Sequence, residues 1–315
     1  MISFIMPAYK ARFFREAVNS ILSQTSDDWE LVIVDDCSPD NLEEIVRQFD
    51  DRRIRYIRNE ENIGGKDLVK QWNHSITYAR GEWIVLAGDD DVYAPEFCEA
   101  VLALAAGHPG VDLIHSRVEV INEDGGPKWH DIEFPEYSSC YEYMNKWLSG
   151  LVLTCVGNFA FRRTALLGIG GFQNYPCAFC SDQATPLMLA GNGVANTSGL
   201  LFKFRESDIH LSGNRRLLKE KLEAMMMFYE WLDGFEYPAP SSDSDKEMYS
   251  IKNSGYLHAK CIYDCFNHAI RLAPLSELPS FLRVCRVAGP WEKMVMVARW
   301  IKRRRHGHTL TGCFL

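Results

Sequence analysis

The sequence predicts an α/β fold in which helices flank a mostly parallel central sheet, followed by a helical C-terminal extension. Short apolar runs alternate with segments of helical apolar spacing through the first half of the chain. This alternation is typical of βαβ units, whose buried parallel strands are apolar on both faces. Past about residue 210 only the helical spacing remains. We therefore expect an α/β domain over residues 1–212 and a helical region over residues 213–315.

The elements of the N-terminal half follow from two patterns in the sequence. An apolar run that stops at Pro7 predicts the first strand, because proline cannot donate to a sheet ladder. Apolar residues three and four apart predict the first helix within 13–24. The same patterns predict strands at 29–34, 54–57 and 83–87, and helices at 42–49 and 68–79.

The second half of the chain has a less regular pattern. Strands are predicted at 111–120 and 159–162, with a short helix at 141–148. The stretch 122–139 contains glycine and proline at turn-forming spacings and is predicted to be a long loop. Around a linker at 237–242, the helical spacing predicts helices at 214–232, 245–272, 276–287 and 291–305.

The composition limits the class of protein. The 315 residues are 47% apolar and 24% charged, which excludes disordered, collagen-like and coiled-coil chains. No apolar run approaches the ~18–20 residues that a bilayer span requires. The first seven residues lack the basic segment of a secretory signal, and the ten cysteines form no dense framework. We therefore expect a cytoplasmic protein with reduced thiols.

Polar and mostly acidic residues follow three of the predicted strands. Pro7-Ala8-Tyr9 follows the first strand, Asp35-Asp36 the second and Gly88-Asp89-Asp90-Asp91 the fourth. The carboxyl ends of parallel strands meet at one edge of a sheet, and ligands of such sheets bind beyond that edge. This edge is the candidate site.

The three consecutive carboxylates Asp89, Asp90 and Asp91 are the sharpest local signal. They repel one another unless a cation lies nearby, and carboxylate oxygens suit Mg²⁺ or Mn²⁺ bridging to a diphosphate. The same triplet is compatible with a solvated turn or a helix cap. Asp35 and Asp36 could accept hydrogen bonds from a nucleobase or a ribose hydroxyl, or could cap a helix together with their neighbours.

Several segments within residues 2–95 resemble, in the same order along the chain, the opening of family-2 inverting glycosyltransferases. They read SFIMPAY from residue 3, VNSILSQT from 18, ELVIVDDCS from 30, NIGG from 62, ARGEWI from 79 and GDDD from 88. A weaker likeness continues through 161–163, 170–172 and 181–183 to about residue 212. The resemblance implies the GT-A fold, a Rossmann-like arrangement that binds a nucleotide-sugar donor, with Mn²⁺ or Mg²⁺ as cofactor.

The resemblance also implies roles for individual residues. The nucleotide-binding set is Pro7, Ala8, Tyr9, Asp35, Asp36, Lys66, Gly88 and Asp89. Asp90 falls on the principal metal carboxylate, with Asp89 and Asp91 beside it. His210 and Ser212 fall near the loop that closes over the donor phosphates. Gly88 stands where the family usually has an acid. An arginine that the family often has between the second and fourth strands has no exact counterpart here, and Lys66 is taken as its substitute.

Asp182 matches the carboxylate that acts as catalytic base in the family, although Ser181 replaces the glutamate that commonly precedes it. A carboxylate within reach of an acceptor hydroxyl can take its proton in the transition state. Ser181 and Asp182 could instead cap the helix that runs to Leu189, and one residue could serve both roles. Trp129 and His130, in the irregular stretch, are the acceptor candidates, because aromatic faces suit sugar rings.

The sequence separates an acidic body from a basic tail. The net charge is −8, which argues against a nucleic-acid partner. Arg299, Lys302 and residues 303–305 carry five positive charges, which leaves −13 on the rest of the chain. An amphipathic basic helix at 291–305 fits contact with the inner membrane surface, a homo-oligomer interface, or simple packing with a solvated basic end.

We therefore expect a metal-dependent inverting glycosyltransferase with a nucleotide-sugar donor, a UDP-sugar being favoured, and a glycan or lipid-linked acceptor. The absence of the Gln-x-x-Arg-Trp motif favours transfer of single residues in surface polysaccharide synthesis. Two alternatives are a silent sugar-nucleotide-binding scaffold and a nucleotidyltransferase. The acidic triplet and Asp182 disfavour the first. The second would usually carry a glycine-rich basic loop after the first strand, where Pro7-Ala8-Tyr9 stands.

Overall fold

A mixed sheet lies between two groups of helices in the computed structural model of the chain, which describes residues 1–208, 214–251 and 255–305. The strands are β1 (Ile2–Ala8), β2 (Trp29–Asp35), β3 (Ile54–Arg58), β4 (Trp83–Leu86), β5 (Val92–Tyr93), β6 (Leu113–Ile121), β7 (Pro127–His130), β8 (Tyr137–Ser138), β9 (Phe159–Arg162) and β10 (Val194–Arg205). Their order is β3-β2-β1-β4-β9-β6-β10-β5, with β7 beside β6 and β8 beside β10.

The sheet is parallel from β3 to β4 and again between β6 and β10. Strand β1 pairs in parallel with β2 and β4, β2 with β3, and β10 with β6. Strand β9 runs antiparallel between β4 and β6. The carboxyl ends of β1, β2, β4, β6 and β10 therefore lie at one edge, as the sequence predicts. The predicted fold class, a mostly parallel sheet with a helical C-terminal region, is confirmed.

The helices cover both faces of the sheet. They are α1 (Phe14–Leu22), α2 (Leu42–Val46), α3 (Leu68–Ser75), α4 (Phe97–Gly107), α5 (Cys140–Leu148), α6 (Arg163–Gly168), α7 (Ser181–Leu189), α8 (Leu218–Gly234), α9 (Asp243–Ile251), α10 (Leu257–His268), α11 (Leu278–Val284) and α12 (Pro290–Arg305). Among these described helices, none is long and apolar enough to cross a bilayer.

Successive residues of the central strands enter two different cores, because side chains alternate across a pleated sheet. Phe4 of β1 packs with α1, α2 and α4 on one face, whereas Ile5 faces the other side. The core that contains Ile5 also contains Phe228 of α8 and Trp300 of α12. The C-terminal helices therefore share one apolar core with the sheet. The predicted boundary near residue 212 falls in 209–213, outside the described residues.

A tight contact at the amino edge explains one glycine of the sequence pattern. A Cβ atom on Gly81 would lie 2.7 Å from the Met1 carbonyl oxygen and 2.8 Å from the Ser3 nitrogen. The Gly81 N–H donates to Ser3 Oγ at 2.7 Å, and Ser3 Oγ donates to Glu30 Oε1 at 2.6 Å. These buried bonds join β1, β2 and the segment before β4.

Four element predictions need correction. The helix expected at 42–49 ends at Val46, because Gln48 and Phe49 make turn bonds to Ile45 and Val46. The helix expected at 68–79 gives way to a tighter turn after Ser75. The stretch 122–139 holds the strands β7 and β8 rather than only loop, and the helix expected to run to residue 272 ends at His268 of α10, with residues 252–254 outside the described part of the chain.

Candidate active site

The acidic triplet after β4 holds the loop after β1 in place. Oδ2 of Asp89 accepts hydrogen bonds from the backbone nitrogens of Tyr9, at 2.8 Å, and Lys10, at 2.9 Å. Burial raises the pKa of Asp89, and the two backbone donors act in the opposite direction. The loop after β1 and the acidic triplet, both predicted to bind the nucleotide, are thus in direct contact. Tyr9 itself is 42% exposed.

Asp90 and Asp91 lie next to the end of β10. The backbone nitrogen of Arg205 donates to Asp91 Oδ1 at 3.0 Å, and its Nε donates to the Asp90 carbonyl oxygen at 2.8 Å. Burial, together with the negative charges of Asp90 and Asp89, raises the pKa of Asp91 well above its usual range. A Cβ atom on Gly88 would lie 2.8 Å from Asp91 Oδ2, so this position has little room for a side chain.

The Asp35 carboxylate is fully buried and already hydrogen-bonded within the protein. It accepts hydrogen bonds from Tyr56, Arg58 and, at 2.7 Å, the Ser38 nitrogen. Burial and the bond to Asp35 raise the pKa of Tyr56 to about 12. These bonds fix the turn that follows β2.

Asp36 anchors the NIGG segment. Its oxygens accept hydrogen bonds from the Ile63 nitrogen at 2.9 Å, the Gly64 nitrogen at 2.7 Å, Asn59 Nδ2 at 2.8 Å and Asn62 Nδ2 at 3.1 Å. Four donors fill the lone-pair sites of a carboxylate. A contact of Asp35 or Asp36 with a nucleobase stays a prediction.

Asp182 lies in the first turn of α7, which ends at Leu189 as predicted. Its side chain is partly exposed, and desolvation raises the pKa of Asp182 from 3.8 to about 7. The helix begins after three residues with positive φ, namely Cys177 at 49°, Ala178 at 59° and Cys180 at 71°. Non-glycine residues rarely adopt this conformation, and such strain concentrates at functional sites.

The thiol of Cys155 is subject to the charges of several acidic residues. Cys155 is buried in the segment that precedes β9, and desolvation raises its pKa well above the usual range. The charges of Asp91, Asp182 and Asp131 raise this pKa further, in that order. Asp91 and Asp182 therefore both lie near enough to Cys155 to act on its pKa, although they are 91 positions apart in the sequence.

The residues present fit a divalent cation bound jointly with a diphosphate. Asp90 and Asp91 supply hard oxygen donors, and their mutual repulsion would be relieved by a cation. In the part of the chain that the structure describes, no three His, Cys, Asp or Glu side chains converge on a point suited to a metal. Mg²⁺ is commonly held by one or two carboxylates with substrate phosphates, which matches this donor set.

The remaining predicted site residues lie in different surroundings. Pro7 and Ala8 are the last residues of β1, and Lys66 is exposed and pairs with Glu61 at 2.7 Å. Trp129 and His130 lie in β7, with Trp129 partly buried and His130 exposed. His210 and Ser212 fall outside the described residues. Their roles stay predictions.

The structure also reveals a buried pair that the sequence did not indicate. Asp131 Oδ2 lies 3.8 Å from Nε2 of His115, and Oδ1 lies 3.6 Å from Nε of Arg117. Burial raises the pKa of Asp131 from 3.8 to about 7 and lowers that of His115 to about 4. Nδ1 of His115 faces the Asn196 amide oxygen, which can only accept, so Nε2 presents a lone pair to Asp131. The pair is most compatible with a protonated Asp131.

We expect Asp131→Asn to stabilise the protein at pH 8 but not at pH 5. Because the folded state holds the Asp131 proton up to about pH 7, stability falls as the pH rises between the two pKa values. An uncharged amide avoids the cost of burying a poorly paired charge. We expect the variant to gain about 1–3 kcal/mol in the free energy of unfolding at pH 8. Urea unfolding at both pH values measures the difference, with the exposed Asp124→Asn as control. An equal effect at both pH values would contradict the assignment.

A cleft of about 630 Å³ opens at the opposite edge of the sheet. Its lining includes Val111, two residues before β6, Gly193, directly before β10, and residues 238–241 of the predicted linker. It contains none of the acidic residues described above. We therefore assign the candidate site from the acidic residues at the carboxyl edge of the sheet, and not from the volume of this cleft.

Comparison with known proteins agrees with this geometry. A curated Haemophilus influenzae protein, named as an uncharacterized glycosyltransferase, is 30% identical over 176 residues, or 55% of this chain and 56% of its own length. An Escherichia coli protein, UDP-Glc:alpha-D-GlcNAc-diphosphoundecaprenol beta-1,3-glucosyltransferase WfgD, is 30% identical over 125 residues, or 39% of this chain and 48% of its own. The chain thus spans about half the length of these relatives.

Solved structures share the fold. TarS 1-349 of S. aureus in complex with UDP-GlcNAc has a TM-score of 0.65 at 18% identity, covering 98% of this chain and 93% of its own. The mannosyltransferase PcManGT from Pyrobaculum calidifontis, in complex with GDP-Man and Mn²⁺, has a TM-score of 0.58 at 18% identity, covering 97% and 81%. These likenesses confirm the GT-A fold. The family model described as glycosyl transferase family 2 matches residues 3–169, more than half of the sequence. On that match, the chain belongs to glycosyl transferase family 2.

Proposed function

We propose that the chain is a metal-dependent inverting glycosyltransferase that moves a sugar from a nucleoside-diphosphate donor, a UDP-sugar being favoured, to a glycan or lipid-linked hydroxyl. Surface polysaccharide synthesis is the role we assign to it. The observation that carries the proposal is the hydrogen-bonded contact of the acidic triplet with the loop after β1 and with the end of β10, at the carboxyl edge of the sheet. Family membership and relatives such as the E. coli glucosyltransferase support it.

Asp182 is the proposed general base. In a single displacement the acceptor oxygen forms a bond to the anomeric carbon, and the Asp182 carboxylate takes the acceptor proton. The bond from that carbon to the donor phosphate oxygen breaks, and its electron pair leaves with the nucleoside diphosphate. A base with a pKa near 7 remains largely ionised just above neutrality and still has affinity for the proton.

The donor side is assigned to the loop after β1 and the acidic triplet. Tyr9 offers an exposed aromatic face for the nucleoside, and Asp89 holds the Tyr9 backbone in place. Asp90 and Asp91 would hold Mn²⁺ or Mg²⁺, which when bound neutralises charge that develops on the leaving diphosphate. Arg205 keeps Asp91 oriented through its backbone N–H.

We expect kcat/KM to increase tenfold per pH unit below about pH 7 and to level off above it. Asp182 must be ionised to accept a proton, and its pKa is raised to about 7. Initial rates at saturating metal, measured across the pH range, test this expectation. An acid limb centred near 4 would assign the base to a carboxylate with an ordinary pKa.

Thermal unfolding with UDP, GDP, dTDP or CMP, each with and without Mn²⁺, tests donor binding directly. A ligand at 100 times its Kd stabilises by about 2.7 kcal/mol, which is readily measured. A Mn²⁺-dependent shift with one nucleotide supports the proposal and identifies the base of the donor, after which transfer from the matching sugar nucleotide is assayed. No shift with any nucleotide would favour the silent scaffold.

A further inference from the structure

The last described helix, α12, has an apolar face that no other described residue covers. Trp291 is 72% exposed, Met294 57% and Ile301 40%. Together with the exposed Ala298, these residues are spaced three and four apart and so form one stripe along the helix. Contiguous exposed apolar residues of this size mark an interaction surface. We call this stripe the outer face of α12.

The opposite side of α12 is firmly packed. Met296 is 2% exposed and Trp300 5% exposed, and both belong to the core that includes the sheet. Trp300 Nε1 donates to the Ala273 carbonyl oxygen at 3.1 Å, and Arg304 donates to the same oxygen at 3.1 Å. The helix is thus docked by one face, and its outer face is not needed for that docking.

Positive charge is concentrated toward the C-terminal end of α12, next to the end of the outer face. Arg299, Lys302 and Arg303 are exposed, and Lys293 and Arg304 lie on the same helix. The single acidic residue of α12, Glu292, accepts hydrogen bonds from His258 at 2.7 Å and the Gly289 nitrogen at 2.7 Å. The helix therefore presents apolar side chains beside a basic cluster. Its basic residues outnumber its single acidic residue, Glu292.

We propose that the outer face of α12 docks the protein on the surface of an anionic lipid bilayer. Interfacial helices place an apolar stripe at the acyl boundary and basic residues against anionic headgroups. Tryptophan favours this boundary because its ring is amphipathic. In such a contact the helix lies along the bilayer surface and does not cross it. The proposal does not depend on the glycosyltransferase activity.

A second copy of the chain fits this face less well. Parallel packing of two copies through the face would bring their basic residues together, and antiparallel packing would place these residues opposite an end of the helix whose acidic residue is Glu292. α12 offers only Glu292 to compensate them, and this residue already bonds His258 and Gly289. Like charges across an interface cost several kcal/mol, whereas an anionic lipid surface attracts them. Charge complementarity therefore favours the lipid surface.

Flotation with vesicles of phosphatidylcholine alone, or of phosphatidylcholine with phosphatidylglycerol, tests the proposal. We expect binding only to the anionic vesicles, and weaker binding as salt shortens the Debye length. Lys302→Glu/Arg303→Glu should lower the partition coefficient roughly 25-fold or more, at about fivefold per basic residue. Trp291→Ser/Met294→Ser should lower it about tenfold or more.

The matched control is Arg47→Glu/Arg52→Glu, which makes the same charge change on exposed residues of the N-terminal half. It should bind anionic vesicles within about twofold of wild type. A blue shift of tryptophan emission on vesicle addition, lost in Trp291→Phe, is also expected. Equal loss in the control, or equal binding to neutral vesicles, would overturn the proposal. So would light scattering that shows a dimer, broken by Trp291→Ser/Met294→Ser, with no vesicle binding.

Discussion

Replacing Asp182 by Asn should lower kcat by roughly 10²–10⁴-fold while leaving Mn²⁺-dependent binding of the nucleoside diphosphate intact. The amide is nearly isosteric with the carboxylate but cannot take the acceptor proton, and this range is the usual contribution of a general base. The fold should tolerate the change, because Asp182 lies in the first turn of α7 and its side chain is partly exposed rather than buried. Single-turnover transfer rates and nucleotide-induced thermal shifts measure the two quantities separately.

The control for Asp182→Asn is Asp233→Asn, an exposed residue near the end of α8. It removes one carboxylate far along the chain from the acidic edge and should retain wild-type turnover. If Asp182→Asn keeps more than about a tenth of the rate, the residue serves only its helix. If it loses nucleotide binding as well, the carboxylate supports the donor site rather than the acceptor proton.

Replacing Asp90 by Ala should remove the metal-dependent part of nucleotide binding and lower turnover by roughly 10²–10³-fold. Asp90 is the carboxylate that best matches the metal position, and Asp91 is already oriented by the Arg205 N–H. The expected observation is loss of the additional stabilisation that Mn²⁺ gives in the presence of nucleotide. For comparison, a ligand at 100 times its Kd stabilises the folded state by about 2.7 kcal/mol. Titration of Mn²⁺ by isothermal calorimetry in the presence of nucleotide gives an independent readout.

Two further variants separate a metal role from a structural one. Asp50→Ala removes an exposed carboxylate from the turn before β3 and should leave the Mn²⁺-dependent shift unchanged. Asp91→Asn keeps an oxygen that can accept from Arg205 but loses the charge that repels Asp90. Equal metal-dependent shifts in wild type and Asp90→Ala would contradict the assignment of Asp90.

The sequence predicted the central strands because buried parallel strands consist of nearly continuous apolar residues. Strand β9 and the end of α7 at Leu189 were predicted to the residue. Strand β10 was not predicted, because the polar run 196–199 interrupts its apolar pattern and produces register shifts against β6. Missing β10 also concealed Arg205, which joins the end of that strand to Asp90 and Asp91.

The finer features of the site depend on contacts that no local pattern contains. The pairing of β6 with β7 brings Asp131 near His115, and sequence spacing does not reveal that both are buried. The positive φ values of Cys177, Ala178 and Cys180 were equally hidden, because glycine and asparagine are the residues that normally signal this conformation. The acidic triplet was predicted from its position after a buried strand, whereas Asp182 was predicted as a site residue because a family resemblance added information that spacing alone does not supply.

The common core formed by the sheet and the C-terminal helices has a consequence for how this chain can be recombined. Phe228 and Trp300 are buried among residues that also pack on the sheet, so the helical region is not an interchangeable module. A chimera that joins residues 1–212 to the helices of a relative would have to match the shape of this shared interior. Divergence in the C-terminal half is therefore coupled to divergence in one face of the sheet, and the two halves of the chain must evolve together.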